Sequence, residues 1–296
     1  MRIIITGTGG RLGAAVARHL RDRHRVIAWD RKALDLQSPG QIDDHFGALE
    51  FDAVIHCAAL TGVDYCEQHA EEAHAVNTAA PAHIARICAR RGAKLIHIST
   101  DYVYQATAPG LRRESDPCQP IGVYGNTKRA AEIAVLDAHP DFLVARASWI
   151  FGPDRPGFVD SMIQRARTAP NVSAIADKWS TPSYSVDQAV LLEALLLNPD
   201  ACGVVNLCNA GGCHWLEYGQ AALDFAQAAG VQLQCRTLSP ASCSDMSGFL
   251  IPRPVHTSMD TTRLADLTEQ RIRPWREALE EYIDTYYGRW KSESIS

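Results

Sequence analysis

The sequence predicts an α/β fold, a doubly wound parallel sheet carrying a smaller C-terminal α+β lobe. Three observations predict it. Over the first half of the chain, short continuous apolar runs alternate with stretches of helical periodicity, the pattern of a parallel sheet covered on both faces. Between the first run and the first helix stands Gly7-x-x-Gly10-x-x-Gly13, the tight strand-to-helix turn of a Rossmann-type unit. Past residue 150 the alternation gives way to mixed short elements, without a Pro/Gly/Ser-rich linker. Residues 1–150 are therefore read as a Rossmann domain to which later segments return. Residues 151–296 are read as mainly a second lobe and a closing helix, with a site between the two at the carboxyl edge of the sheet.

The elements follow in order. Arg2 to Thr6 is a β-branched strand, and Leu12, Val16 and Leu20, four apart, mark the buried face of the first helix. Arg25 to Asp30 and Ala53 to Ala58 read as the second and third strands. Ala79 to Arg91 reads as a helix stopped by Gly92. Lys94 to Ser99 is the fourth strand, a helix around Tyr124 follows, and Phe142 to Ala147 is the fifth strand. In the second half Phe158 to Thr168, Val186 to Leu197 and Trp215 to Ala229 look helical, and Val204 to Leu207 and Val231 to Leu238 look extended. Pro240 to Pro254 is loop-rich. Arg273 to Trp290 reads as the closing helix, with Trp275, Leu279, Tyr282 and Tyr286 near one face.

Bulk properties exclude several classes. The 296 residues carry a net charge of −5, which favours neither nucleic acid nor an acidic membrane surface. No apolar run approaches the roughly 20 residues that span a bilayer. Nine cysteines occur singly, without a C-x-x-C, and read as reduced thiols of a cytoplasmic protein. The chain opens at once on a strand, so a signal peptide is not expected. Cys66, His69 and His74 are irregularly spaced and are read as core or surface; no metal is predicted.

Two constellations carry chemistry. In the first, Gly7, Gly10 and Gly13 let the backbone approach a pyrophosphate at the positive end of a helix, with Arg11 and Leu12 inside the same turn. Asp30 ends the second strand where an acid would bind a ribose, which suggests NADH. Arg31, Lys32 and Arg11 are cations suited to a 2′-phosphate, which suggests NADPH, so both cofactors stay open. Asp35 and Leu36 are placed beside the adenine. Cys57, Ala58 and Ala59 supply small residues against which the dinucleotide can lie.

The second constellation is Tyr124-x-x-x-Lys128 with Ser99-Thr100-Asp101 one element upstream. Four residues apart on a helix, the phenol and the ammonium share a face. A nearby positive charge favours the phenolate and lowers a pKa that is ordinarily about 10. Thr100 adds a hydroxyl to orient a substrate oxygen. An acid, its tuner and an orienting hydroxyl suit reduction of a carbonyl or oxidation of an alcohol.

These residues resemble the extended short-chain dehydrogenase/reductases, and within them the dTDP-4-dehydrorhamnose reductase family, over almost the whole chain. The match runs through IIITGTGGRLG and through CAALTGVDYCE, where Cys57 stands in place of an asparagine. It continues through Val76-Asn77, STDYVY, VYGNTK, RASWIF and RPVHTSMDT. The resemblance implies an NAD(P)H-dependent oxidoreductase passing hydride to the C4 carbonyl of a nucleotide-activated 4-keto-6-deoxysugar in dTDP-rhamnose biosynthesis. It assigns Tyr124 as the acid, Lys128 as its tuner and a nicotinamide-ribose contact, and Thr100 as the group orienting the carbonyl. It also places Thr61, Asn77 and Ser99 with the cofactor. Val63, Asp101, Tyr102, Trp149 and Arg253 go with the substrate, Arg253 as a candidate for its diphosphate or for the loop around it. A monomer or homodimer is expected. Ala14-Ala15-Val16-Ala17 lacks the glutamate that some members use for an interface magnesium. The segment with Cys243, Met246 and Phe249 departs from the family pattern. An epimerase or dehydratase of the same superfamily is the alternative, as is a cofactor-binding regulatory subunit resembling that of methionine adenosyltransferase.

Overall fold

The structure, a computed structural model, describes residues 1–104, 107–245 and 248–288. The first half runs β1 (Arg2–Thr6), α1 (Arg11–Leu20), β2 (Arg25–Trp29), α2 (Pro39–Gly47), β3 (Ala53–His56) and α3 (Val63–Gln68). A continuous helical stretch follows, α4 (Ala70–His74), a π-helical turn Ala75–Ala79 and α5 (Ala80–Arg91), which Gly92 ends in the left-handed conformation at φ 65°. Then come β4 (Lys94–Thr100), a 3-10 turn Asp101–Val103, α6 (Gly122–Ala138), β5 (Leu143–Ala147) and β6 (Ile150–Phe151). The second half contains α7 (Phe158–Thr168), β7 (Ser173–Ile175), β8 (Trp179–Ser180), β9 (Ser183–Tyr184), α8 (Ser185–Leu197), β10 (Gly203–Leu207) and β11 (Cys213–His214). It closes with α9 (Trp215–Ala228), β12 (Ser239–Ala241), α10 (Thr262–Thr268) and α11 (Trp275–Tyr286).

Six strands form one parallel sheet in the order β2-β1-β3-β4-β5-β10. The chain leaves β1 for β2 on one side and places β3 on the other. Strand order therefore reverses at β1, and a crevice opens beyond the carboxyl ends of β1 and β3. On one face Leu12, Val16 and Leu20 of α1 pack with Leu192 and Leu195 of α8 and Leu264 of α10; on the other, Ile42, Phe46, Ile84 and Val135 come from α2, α5 and α6. Each such side chain contributes roughly 1.5–3 kcal/mol of burial. α8 and β10 thus return to the sheet from beyond residue 150. A third core, with Met162, Tyr218, Leu279 and Tyr282, joins α7, α9 and α11 in the second lobe. Among the described residues, no helix is long and apolar enough to cross a membrane.

Two sequence expectations are corrected. Val231–Leu238 is not a strand: the amides of Gln234 and Cys235 both donate to Ala166 O at the end of α7, and the pairing with β7 is made by Ser239–Ala241 instead. The closing helix starts at Trp275: Pro274 disfavours helical backbone at Arg273, and is itself the cap, extended at ψ 143°. Trp275, Leu279 and Tyr282 are buried, but Tyr286 is 44% exposed. Met246 and the stretch 289–290 of that expected helix lie outside the described residues.

Candidate active site

Two cavities open at the reversal point and share a wall. The larger, about 630 Å³, follows the glycine turn and the ends of β2 and β3. Gly7 sits at φ 74°, and a Cβ there would come within 2.6 Å of Ala58 N. A side chain on Gly13 would overlap Gly7 O. The turn therefore packs against α1 and the end of β3 more closely than any residue with a side chain allows at these two positions. Gly10, Leu12, Asp30, Asp35, Leu36, Ala58, Ala59 and Thr61 also line it. Asp30 Oδ1 accepts from the amides of Lys32 and Ala33, each at 2.9 Å, which curls the loop after β2. Arg31 lines the same cavity but is paired with Glu72 at 3.3 Å, and Tyr65 donates to the same carboxylate. Arg11 is engaged elsewhere: its guanidinium donates to the carbonyls of Ile150, Arg155 and Pro156 and so grips the chain where it enters the second lobe. These bare glycines, small residues and a helix N-terminus suit an extended dinucleotide.

The smaller cavity, about 390 Å³, continues from the first past Cys57, Ala59 and Thr61. Val63, Ser99, Thr100, Asp101, Tyr102, Tyr124, Lys128 and Trp149 all border it. Thr100 ends β4, and its hydroxyl donates to Asp101 Oδ1 and accepts from Tyr102 N, each at 3.2 Å, on the wall it shares with the Tyr124 phenol. Burial pushes that phenol above its ordinary range, the neighbouring Thr100 hydroxyl opposes the shift, and Asp101 adds to it. Lys128 Nζ turns to β4, donating to Ile98 O at 2.7 Å and to His97 Nε2 at 3.2 Å. Burial brings this ammonium down to about 8, against the charge of Glu132. The sequence pairs Lys128 with Tyr124 as tuner; in the structure both border the smaller cavity, and the hydrogen bonds of the ammonium go to β4. Asp101 does not point freely into the cavity. Its Oδ2 accepts from Ser148 (3.1 Å), Ser180 (2.7 Å) and Thr257 (2.6 Å), three hydroxyls from three segments.

The model of the RmlD substrate binding domain matches residues 1–287. The chain belongs to the RmlD substrate binding domain family. A dTDP-4-dehydrorhamnose reductase of Mycolicibacterium smegmatis is 34% identical over 290 residues, covering 97% of this chain and 86% of its own. The spore coat polysaccharide biosynthesis protein SpsK of Bacillus subtilis is 30% identical over 283 residues, 95% of this chain and 96% of its own. Among solved structures, dTDP-4-dehydrorhamnose reductase from Bacillus anthracis in complex with NADP superposes with a TM-score of 0.88 at 28% identity, covering 96% of this chain and 99% of that one.

In this RmlD-family chain two expected site residues border neither cavity. Asn77, in the π-helical turn, holds Leu60: its Oδ1 accepts from Leu60 N and its Nδ2 donates to Leu60 O. It acts on the loop that forms the groove, not on the groove itself. Arg253 pairs with Asp64 of α3 and lies over Phe249 at 4.3 Å. Asp64 also accepts from Leu250 N at 2.9 Å, and the Arg253 bond holds its carboxyl below the usual range. The pair clasps the late loop to α3.

Other residues of the site carry no sequence motif. Phe158, Trp215 and Tyr218 form an aromatic wall with Trp149, whose ring lies 5.5 Å from Trp215 and 6.0 Å from Tyr218. Trp149 itself is held at φ 34°, a backbone conformation costing a non-glycine residue about 1–3 kcal/mol. Lys178 is fully buried behind this wall. Its ammonium donates to Pro254 O at 2.7 Å and faces the rings of Tyr102 (5.0 Å) and Trp149 (5.8 Å). Burial lowers it to about 8. The i, i+3 spacing of Trp215 and Tyr218 was the one available signal; Ser180 and Thr257 offered none.

Proposed function

We propose that this chain reduces the C4 carbonyl of a nucleotide-activated 4-keto-6-deoxysugar with NADPH or NADH, as dTDP-4-dehydro-L-rhamnose to dTDP-L-rhamnose. The observation that carries the reading is Thr100, Tyr124 and Lys128 converging in the smaller cavity, which shares a wall with the larger one. The glycine turn and the loop after β2 hold the dinucleotide along the larger cavity, and the sugar enters the smaller one against the aromatic wall. The reduced nicotinamide supplies the hydride. Tyr124 gives its proton to the oxygen that gains charge, and Thr100 orients that oxygen. Lys128 supplies the positive field and a ribose contact. The hydroxyl cage on Asp101 fixes the turn that follows Thr100.

The test is loss of reduced nicotinamide absorbance when dTDP-4-dehydrorhamnose is generated in situ. Stoichiometric oxidation is expected. Cofactor binding with no net oxidation would overturn the reading in favour of an enzyme that returns its hydride, or of a regulatory role.

Two variants test the cofactor contacts. Lys128→Met is expected to lose turnover and to weaken cofactor binding together, the latter by about tenfold, the size of a charged hydrogen bond. Unchanged cofactor affinity in a fluorescence titration would argue against a ribose contact. Arg31→Ala is expected to raise the NADPH dissociation constant roughly five- to tenfold more than that of NADH. Equal effects would mean that Arg31 stays with Glu72 and does not meet the 2′-phosphate.

A further inference from the structure

Two histidines lie under the catalytic helix, and the chemistry described so far uses neither. His56 and His97 occupy paired positions on β3 and β4, their rings stacked 5.3 Å apart and 21° from parallel. Both are at most 1% exposed. His56 Nδ1 lies 2.7 Å from Thr6 Oγ1, and His97 Nε2 lies 3.2 Å from Lys128 Nζ.

An ammonium has donors only, so the nitrogen facing it must present a lone pair. That puts the His97 proton on Nδ1. His97 Nδ1 and His56 Nε2 are both buried without a hydrogen-bond partner. A buried N–H left unpaired is unfavourable, and an aliphatic residue would avoid it. The neighbours Ile96 and Ile98 are aliphatic. The unfavourable group stands at the point of the sheet that touches Lys128.

We propose that His97 is a positioning residue for Lys128, a neutral acceptor that, with Ile98 O, fixes the ammonium and keeps it charged without cancelling its field. The proposal rests on the reductase reading for the role of Lys128. An aliphatic residue would leave Lys128, 2% exposed, with Ile98 O as its one protein acceptor. A carboxylate would cancel the positive charge the site needs. Imidazole does neither, since burial and the nearby ammonium keep it from protonating.

The groups around Lys128 are His56 and Cys57 from the end of β3, His97 from β4, and Tyr124 and Glu132 from α6 itself. Asp101 and Cys66 act on Tyr124. Glu132 is bound by Arg146 of β5, Arg129 and Ser99. Removing the His97 acceptor disfavours the charged form of Lys128. Its pKa, already brought down to about 8, falls further, and the ammonium is lost at lower pH.

The experiment compares His97→Leu and His97→Gln in pH profiles of kcat and kcat/KM for nicotinamide oxidation, beside nitrogen NMR of the histidines in the wild-type protein. His97→Leu is expected to lose about tenfold or more in kcat, with its alkaline limb moved down by about one pH unit. His97→Gln, which carries an amide oxygen of similar reach, restores the limb. A wild-type limb in His97→Leu, or equal impairment of both variants, overturns the proposal. The NMR measurement stands even where a variant does not fold and whatever the substrate. A neutral His97 with its proton on Nδ1 is expected, and a proton on Nε2 overturns the proposal without touching the reductase reading.

Discussion

Tyr124→Phe is expected to lose turnover on the order of 10²–10⁴-fold, the usual contribution of a positioned acid, with fold and cofactor affinity retained. The substitution removes one oxygen from a ring that is 8% exposed and packed edge-on to Tyr102 at 5.7 Å. The ring packing survives, and Thr100 keeps Tyr102 N at 3.2 Å and Asp101 as partners, so no buried group is stranded. Single-turnover oxidation of bound NADPH reads the chemical step, and circular dichroism with cofactor titration reads the fold. Turnover within tenfold of wild type would mean that the proton comes from another group.

Glu132→Ala is expected to be the most destabilising single change, by about 3–5 kcal/mol. Glu132 is fully buried and accepts from Arg146 Nε (2.9 Å) and Nη2 (2.8 Å), from Ser99 at 2.6 Å and from Arg129 at 2.8 Å. Arg146 is 1% exposed and lies over the Tyr104 ring at 4.6 Å. Deleting the carboxylate leaves that guanidinium buried and uncompensated. The urea midpoint measures the loss, and a change of less than about 1 kcal/mol would show that Arg146 finds other partners. Burial alone would raise the Glu132 carboxyl, but Arg146, Ser99 and Arg129 outweigh it and the folded pKa is lowered. The stability it contributes is therefore present above the ordinary carboxylate range, near 4.3, and is lost as pH falls through the lower folded value. The gap between wild type and Glu132→Ala should close in the same acid window.

What could be read in advance was whatever is local in the chain. β1 to β5 appear as mainly apolar runs because a strand buried on both faces carries few polar residues, and those only with partners or a task. The glycine turn is legible because a Cβ has no room there, and Tyr124 and Lys128 because helical spacing puts them on one face. Asp101 could be named from its place after β4, but not its function, since its hydroxyl partners stand 47, 79 and 156 residues away. Arg253 illustrates the same difficulty. Between two prolines it reads as a rigid surface turn or as a phosphate contact, and only folding brings Asp64 to it from 189 residues away. Val231–Leu238 has strand composition, yet the end of α7 already offers its carbonyl to that backbone. His97 was hidden inside an apolar strand, where a lone histidine looks like packing.

The wall shared by the two cavities has a thermodynamic consequence. Arg11, Leu12, Cys57, Ala59, Thr61 and Ile150 border both spaces, and Arg11 ties the first turn of α1 to the chain entering the second lobe. A ligand that shifts this wall changes the affinity of the neighbouring space. By reciprocity, the factor by which the dinucleotide alters affinity for the sugar is the factor by which the sugar alters affinity for the dinucleotide. A substitution at Arg11 would therefore act on the coupling between the two bound molecules as well as on the affinity for each.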